Sequence, residues 1–161
     1  MRYAGLLTND FINGEGVCVS YWAQGCPHKC PGCHNPSTWD FNDGQEVDED
    51  ELIETILRAL NANGVRRNLS ILGGEPLAAN NINFTNHLAM EAKRNNPDIT
   101  VYLWTGYQLR EIEPYITTAI DVVIDGPFVQ AKRNVALPLR GSTNQIVWRR
   151  DKNGVFQNTT E

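Results

Sequence analysis

Apolar and polar positions follow two rhythms along this chain. Val17-Cys18-Val19-Ser20-Tyr21-Trp22 alternates in character and is rich in β-formers, so it predicts a strand leading straight into a cysteine-rich loop. From Asp48 the period changes. Leu52, Ile53, Ile56, Leu57 and Leu60 recur at helical spacing behind Asp48-Glu49-Asp50-Glu51. Acidic residues in a first turn suit the positive end of the helix dipole, Asp48 is placed to cap it, and Gly64 marks the stop. Leu69-Ser70-Ile71-Leu72 is a short, buried-looking strand ending in Gly73-Gly74-Glu75-Pro76. A second helix is predicted from about Asn83 to Asn95, with Phe84, Leu88 and Ala92 on one face and Pro97 just beyond. Strands follow over Ile99–Trp104 and Ile120–Asp125, closed by Thr105-Gly106-Tyr107 and Gly126-Pro127. A brief helix over Gln108–Tyr115, limited by Pro114, lies between them.

Strands separated by helices predict right-handed βαβ crossovers and a mainly parallel sheet in an α/β fold. The unusual residues all follow predicted strands, and the carboxyl edge of a parallel sheet is where ligands bind. With 161 residues, the chain is long enough for one domain with its own core, read here as residues 1–152, followed by a polar, loose tail over 153–161.

Composition narrows the function. A formal net charge of −5 argues against broad nucleic-acid binding, which depends on neutralising phosphates. The basic clusters Lys132-Arg133 and Arg149-Arg150 with Lys152 read as solvated surface, with an acidic partner as the sharper alternative. No stretch approaches the ~20 apolar residues of a membrane-spanning helix. The first ten residues lack the apolar segment of a signal peptide. The expected compartment is the cytoplasm, where clustered cysteines bind metal or do redox chemistry more often than they form disulfides.

Three cysteines fall within eight residues, Cys26-Pro27-His28-Lys29-Cys30-Pro31-Gly32-Cys33. This C-x3-C-x2-C spacing offers three thiolates to a cluster of four irons, leaving one iron open to a substrate or cofactor. Zinc is a serious rival, since His28, His34 or Cys18 would complete a tetrahedral site. Zinc ribbons bring two separated cysteine pairs, and there is no second pair here, but spacing alone leaves both readings open. Gly73-Gly74 at a strand end lets backbone approach a ligand, and Glu75 adds charge at the same rim. Cys18 reads as a small buried hydrophobe, and His28 and His34 as surface residues or partners of ligands. His87 reads as exposed, Asp125 as a cap of the turn that follows it, and the stripe Tyr102, Trp104, Tyr107 as core.

Taken together, the cysteine spacing and Gly-Gly-Glu-Pro turn resemble radical S-adenosylmethionine enzymes. Within these, the chain is similar to the activating proteins of anaerobic ribonucleoside-triphosphate reductases, from Asp10 to about Gln145. The likeness runs through Asn13-Gly14, Gly16, Gly25-Cys26, His28-Lys29-Cys30 and Gly32-Cys33-His34-Asn35 with Ser37-Thr38-Trp39. It continues in Trp104-Thr105-Gly106-Tyr107, Asp125-Gly126, Phe128, Arg140-Gly141-Ser142 and Asn144-Gln145. Departures are Glu15, where the family usually has proline, and Glu75, where aspartate is common. Many radical enzymes carry an aromatic before the third cysteine, and Gly32 stands there instead.

The resemblance implies a compact, open, partial (β/α) barrel, smaller than a full eight-fold ring. It implies a [4Fe-4S] cluster held by Cys26, Cys30 and Cys33. S-adenosylmethionine would bind through Gly32, Cys33 and His34 and through the Gly73, Gly74 and Glu75 turn. A reduced cluster would cleave it to methionine and a 5′-deoxyadenosyl radical, which takes hydrogen from a glycine of the partner reductase and leaves a glycyl radical. A small flavoprotein or similar reductant is the implied electron donor. A zinc-stabilised binding module without catalysis, or a small radical enzyme such as a deazapurine synthase, are the competing readings.

Overall fold

The protein, analysed as a computed structural model describing residues 1–160, is built on one open eight-stranded sheet. Its strands are β1 (Arg2–Asp10), β2 (Cys18–Ala23), β3 (Gln45–Glu46), β4 (Asn68–Gly73), β5 (Val101–Trp104), β6 (Val122–Asp125), β7 (Ile146–Arg150) and β8 (Phe156–Asn158). They lie in the order β3-β1-β2-β4-β5-β6-β7-β8. Helices α1 (Glu49–Leu60), α2 (Ile82–Asn95) and α3 (Leu109–Ile112) make the crossovers between the parallel strands. The β2–β4, β4–β5 and β5–β6 pairings are parallel. Those of β1 with β2 and β3, of β6 with β7 and of β7 with β8 are antiparallel. The expectation of a mainly parallel sheet therefore holds for the centre and fails at both flanks. The flanking strands escape the alternation rule because they are half exposed, as β1 is along most of its length.

The helices cover only one face of the sheet. Leu52, Ile53, Ile56 and Leu60 of α1 and Phe84, Leu88, Ala89 and Ala92 of α2 share a core with Val19, Tyr21, Leu69, Ile71, Val101, Leu103 and Val123. Fully burying each such aliphatic side chain contributes roughly 1.5–3 kcal/mol. The alternate strand positions point the other way, where Tyr102, Val122, Ile124 and Val147 form a smaller cluster with Trp104 and Leu139. Apolar on both faces, the central strands read as continuous runs such as Leu69-Ser70-Ile71-Leu72.

Asp48 caps α1 by accepting from Glu51 N at 3.1 Å. The helix ends at Leu60, short of the expected Gly64, and a tight 3-10 turn occupies Ala62–Gly64. Arg67 closes that end, donating to the carbonyls of Ala59, Ala62 and Val65. The tail expected to be loose is not so throughout, because β8 pairs with β7. Arg149 and Arg150 are not simply solvated either. Arg149 pairs with Glu15 at 2.6 Å, while the Arg150 guanidinium lies 4.0 Å over the Phe156 ring and donates to Ile120 O.

Between β1 and β2, residues 11–17 fold back across the lower half of the helix-free face. Gly14 sits against Cys18, Ser70 and Tyr102, and Ser70 Oγ donates to Asn13 O. Buried Asp10 anchors this loop, accepting from Ile12 N at 2.9 Å, Asn13 Nδ2 at 2.7 Å and Ser20 Oγ at 2.7 Å. Burial by itself raises its pKa, but the hydrogen bonds from Ser20, Asn13 and Ile12 outweigh it and hold the carboxyl below its ordinary 3.8. A depressed folded pKa stabilises the fold fully above the unfolded value and progressively less as pH falls through the folded one. Asp10→Asn is therefore expected to lose about 1–3 kcal/mol in urea unfolding at pH 7, with the gap to the parent narrowing below pH ~4. A gap independent of pH would refute this role for Asp10.

Candidate functional site

The carboxyl ends of β2 and β4 hold the glycine turn and the cysteine loop against each other. Gly73 has φ +145, and a side chain there would meet Ala23 N at 2.5 Å. A Cβ on Gly74 would meet the carbonyl oxygens of Gly25, Ala23 and Thr38 at 2.5–3.0 Å. Only glycines allow this approach. Glu75 N donates to Gly25 O at 2.8 Å, Gly25 N to Thr38 O at 2.7 Å and Cys26 N to Trp39 O at 3.1 Å. The residues on either side of the cysteines are thus tied to one another and to β4.

Above this joint lies a cleft of about 390 Å³, lined by Cys26, Cys30, Cys33, His28, His34, Trp39, Gly73 and Gly74. Its floor is the helix-free face of the sheet, with Trp22, Leu72 and Trp104 at the strand ends. Asn13, Phe128, Arg140 and Gln145 complete the lining. Arg140, buried, donates to Gln145 O at 3.1 Å. Gln145 Oε1 accepts from Gly141 N at 2.9 Å, which folds this segment on itself.

Cys26 is buried, while Cys30 and Cys33 are half-buried. Burial raises the Cys26 pKa, partly offset by hydrogen bonds from the backbone N–H groups of His28 and Lys29. Asn35 N donates to Cys33 Sγ at 3.4 Å. N–H donors aimed at sulfur favour thiolate and suit a metal-bound state. Cys18 stands apart, fully buried beneath the 11–17 loop, with its thiol donating to Glu15 O at 3.6 Å and its pKa raised by burial.

Glu75 does not reach the cleft, contrary to its expected place at the ligand rim. Its carboxylate is completely buried and saturated by the protein. Leu77 N lies 2.9 Å away, Gly106 N 2.7 Å, Thr105 Oγ1 2.9 Å and His28 Nε2 2.8 Å. A carboxylate only accepts, so His28 Nε2 carries the proton in this contact. The His28 ring also meets Tyr107 edge-on, with centroids 4.6 Å apart. His28 is therefore engaged from both sides, and Cys18 lies under a different loop. Neither is placed as a fourth zinc ligand, whereas His34 lines the same cleft as the three cysteines. The cleft lining thus brings together Cys26, Cys30 and Cys33 with His28 and His34. Three cysteines in one short loop suit an iron–sulfur cluster, and the residues present fit such a group.

The remaining expectations sort themselves by position. His34 lines the cleft, its ring 5.5 Å from that of Phe128. Gly32 is exposed and lies against the Gln130 side chain. His87 is half exposed on α2. Asp125 caps, but not its own turn, since it accepts from Leu109 N at 2.7 Å at the start of α3. The aromatic stripe divides, with Tyr102 buried and Trp104 at the cleft, where its Nε1 donates to Leu139 O at 2.8 Å. Trp22 and Trp39 also line the cleft, beyond the residues the sequence motifs point to. The signal in the sequence is their position, at a strand end before the cysteines and just after them.

Comparison with known proteins agrees with this geometry. Residues 12–148 match the family described as a 4Fe-4S single cluster domain, which defines the class. Over 151 residues the chain is 36% identical to the anaerobic ribonucleoside-triphosphate reductase-activating protein of Salmonella typhi, covering 91% of this chain and 97% of that one. It is 36% identical over 157 residues to the same-named protein of Haemophilus influenzae, covering 92% and 98%. It is 34% identical over 149 residues to that of Enterobacteria phage T4, covering 92% and 94%. The chain belongs to the family of anaerobic ribonucleoside-triphosphate reductase-activating proteins.

The joint itself is testable. Glu75→Gln places an amide NH2 among N–H donors and is expected to cost about 2–4 kcal/mol in chemical unfolding. Thr105→Val, which removes one donor and leaves the carboxylate satisfied by others, is expected to cost about 1 kcal/mol. Parent-like stability of Glu75→Gln would show that the network does not hold the loops.

Proposed function

We propose that this protein activates an anaerobic ribonucleotide reductase by generating a glycyl radical on it. A [4Fe-4S] cluster held by Cys26, Cys30 and Cys33 and S-adenosylmethionine bound beside Gly73 and Gly74 are the cofactors of this reading. The observation that carries it is that Cys26, Cys30 and Cys33, without Cys18, line one cleft together with the bare Gly73-Gly74 turn. Bound together, the two cofactors supply one-electron cleavage of the sulfonium and a nucleoside fragment able to abstract hydrogen.

The chain's own residues do the positioning. Cys26, Cys30 and Cys33 anchor three irons, and backbone N–H groups of His28, Lys29 and Asn35 stabilise the thiolates. The backbone at Gly73–Gly74 would offer polar groups to the amino-acid end of S-adenosylmethionine, and the backbone of Gly32, Cys33 and His34 would hold its nucleoside end. Glu75 takes part indirectly, fixing His28 and the Thr105-Gly106 turn. Trp22, Leu72 and Trp104 give an apolar floor that keeps water from a reactive intermediate. The parallel centre with its crossover helices is read as a partial (β/α) barrel, open on the side where a partner's glycine loop enters. A small flavoprotein or similar carrier as reductant and a cytoplasmic setting belong to the same reading. No described helix is long and apolar enough to cross a membrane.

The test is anaerobic reconstitution followed by electron paramagnetic resonance with reductase, reductant and S-adenosylmethionine. The parent is expected to bind iron and sulfide and to leave a glycyl doublet on the partner. Cys26→Ala, Cys30→Ala and Cys33→Ala are each expected to lose at least a hundredfold in radical yield, whereas Cys18→Ala retains cluster and activity. A colourless protein with stoichiometric zinc, or full activity in Cys30→Ala, would overturn the reading.

A further inference from the structure

Four buried side-chain polar atoms lack a hydrogen-bond partner among the described residues: Tyr21 Oη, Trp39 Nε1, Asn144 Oδ1 and Trp148 Nε1. Leaving a buried donor unmet costs about 1–3 kcal/mol, so each such group calls for an explanation. Tyr21 lies in the main core and Trp148 packs against it. Of the four, only Trp39 also lines the cleft. The other indole near the mouth makes the contrast, because Trp104 Nε1 is already satisfied by Leu139 O at 2.8 Å.

Trp39 is held where it is by the cysteine loop. Its carbonyl accepts from Cys26 N at 3.1 Å, and its own N–H donates to Pro36 O at 3.2 Å. It therefore sits at the end of a 3-10 turn, Pro36–Thr38, clamped against Gly25 and Cys26. It also lines the open groove on the far side of Cys26, with Pro27, Lys29 and Phe41. Trp39 is thus tied through its backbone to the most buried of the three cysteines and lines the same cleft, and its indole N–H is buried with no acceptor among the described residues.

We propose that the Trp39 indole N–H is a hydrogen-bond donor to a sulfur atom of the iron–sulfur group anchored at Cys26. This rests on the functional reading above. Hydrogen bonds to cluster sulfurs set reduction potential, and a donor favours the more electron-rich, reduced state. Trp39 thus eases the one-electron reduction that the reaction needs, while the unmet donor finds its partner only in the loaded protein.

The experiment is a potentiometric titration of the reconstituted protein, read by visible absorbance and by the signal of the reduced cluster. Trp39→Phe is expected to bind the same amount of iron and sulfide but to show a three- to tenfold lower reduced-to-oxidised ratio at the potential where the parent is half reduced. Trp148→Phe, which removes an equally unmet indole N–H packed against the main core and outside the cleft, is expected to leave that ratio unchanged. Should Trp39→Phe not fold, β-(3-benzothienyl)alanine at position 39 preserves the shape and deletes only the donor, with the same shift expected. A loaded variant at position 39 that titrates like the parent, or an equal shift in Trp148→Phe, overturns the assignment. A parent that takes up no iron and sulfide instead overturns the functional reading on which it stands.

Discussion

A carboxylate taken entirely out of water must be met by donors from its surroundings, or the fold around it gives way. Glu75 meets that demand with groups from three separate segments: His28 of the cysteine loop, Leu77 of its own turn, and Thr105 and Gly106 beyond β5. Each of those segments contributes to the cleft wall. Their relative placement is therefore set at one buried point behind the surface they present. Flexible loops become a defined wall because they share an acceptor none can leave without exposing an unmet charge or donor.

The second determinant is the asymmetry of the sheet. All three helices contribute to the core on one face, so the strand positions facing the other way must be covered by something else. Over the lower half, the 11–17 loop does this, with Gly14 against Ser70 and Cys18. Over the upper half, Trp22, Leu72 and Trp104 remain as the floor of the cleft. The loop is pinned there by Glu15, whose Oε1 accepts from Tyr102 Oη at 3.0 Å and pairs with Arg149.

The sequence was informative where the causes are local. β2, β4, β5 and β6 coincide with apolar runs, α1 with its acidic first turn, and α2 with the Phe84-Leu88-Ala92 stripe. The flanking strands were not legible. β7 ends in Arg149-Arg150, which looks like plain surface until the partners Glu15 and Phe156 are known. The cysteine and glycine motifs were visible because they are short in sequence. The burial of Glu75 was not, because its donors lie up to 47 residues away. The same holds for Asp125, whose partner at Leu109 lies one strand over. Long-range partners, more than propensity, separate what a one-dimensional reading yields from what it misses.

The connection between the first two strands fixes how deep the hollow is. Because those few residues fill half of the open side like a stopper, capacity here depends on the length and bulk of one hairpin link and not on the number of strands. Trimming or thickening that link would resize the chamber while the sheet, the helices and the sulfur-bearing segment stay as they are. Adaptation to a larger or smaller guest therefore has a route that leaves the framework untouched.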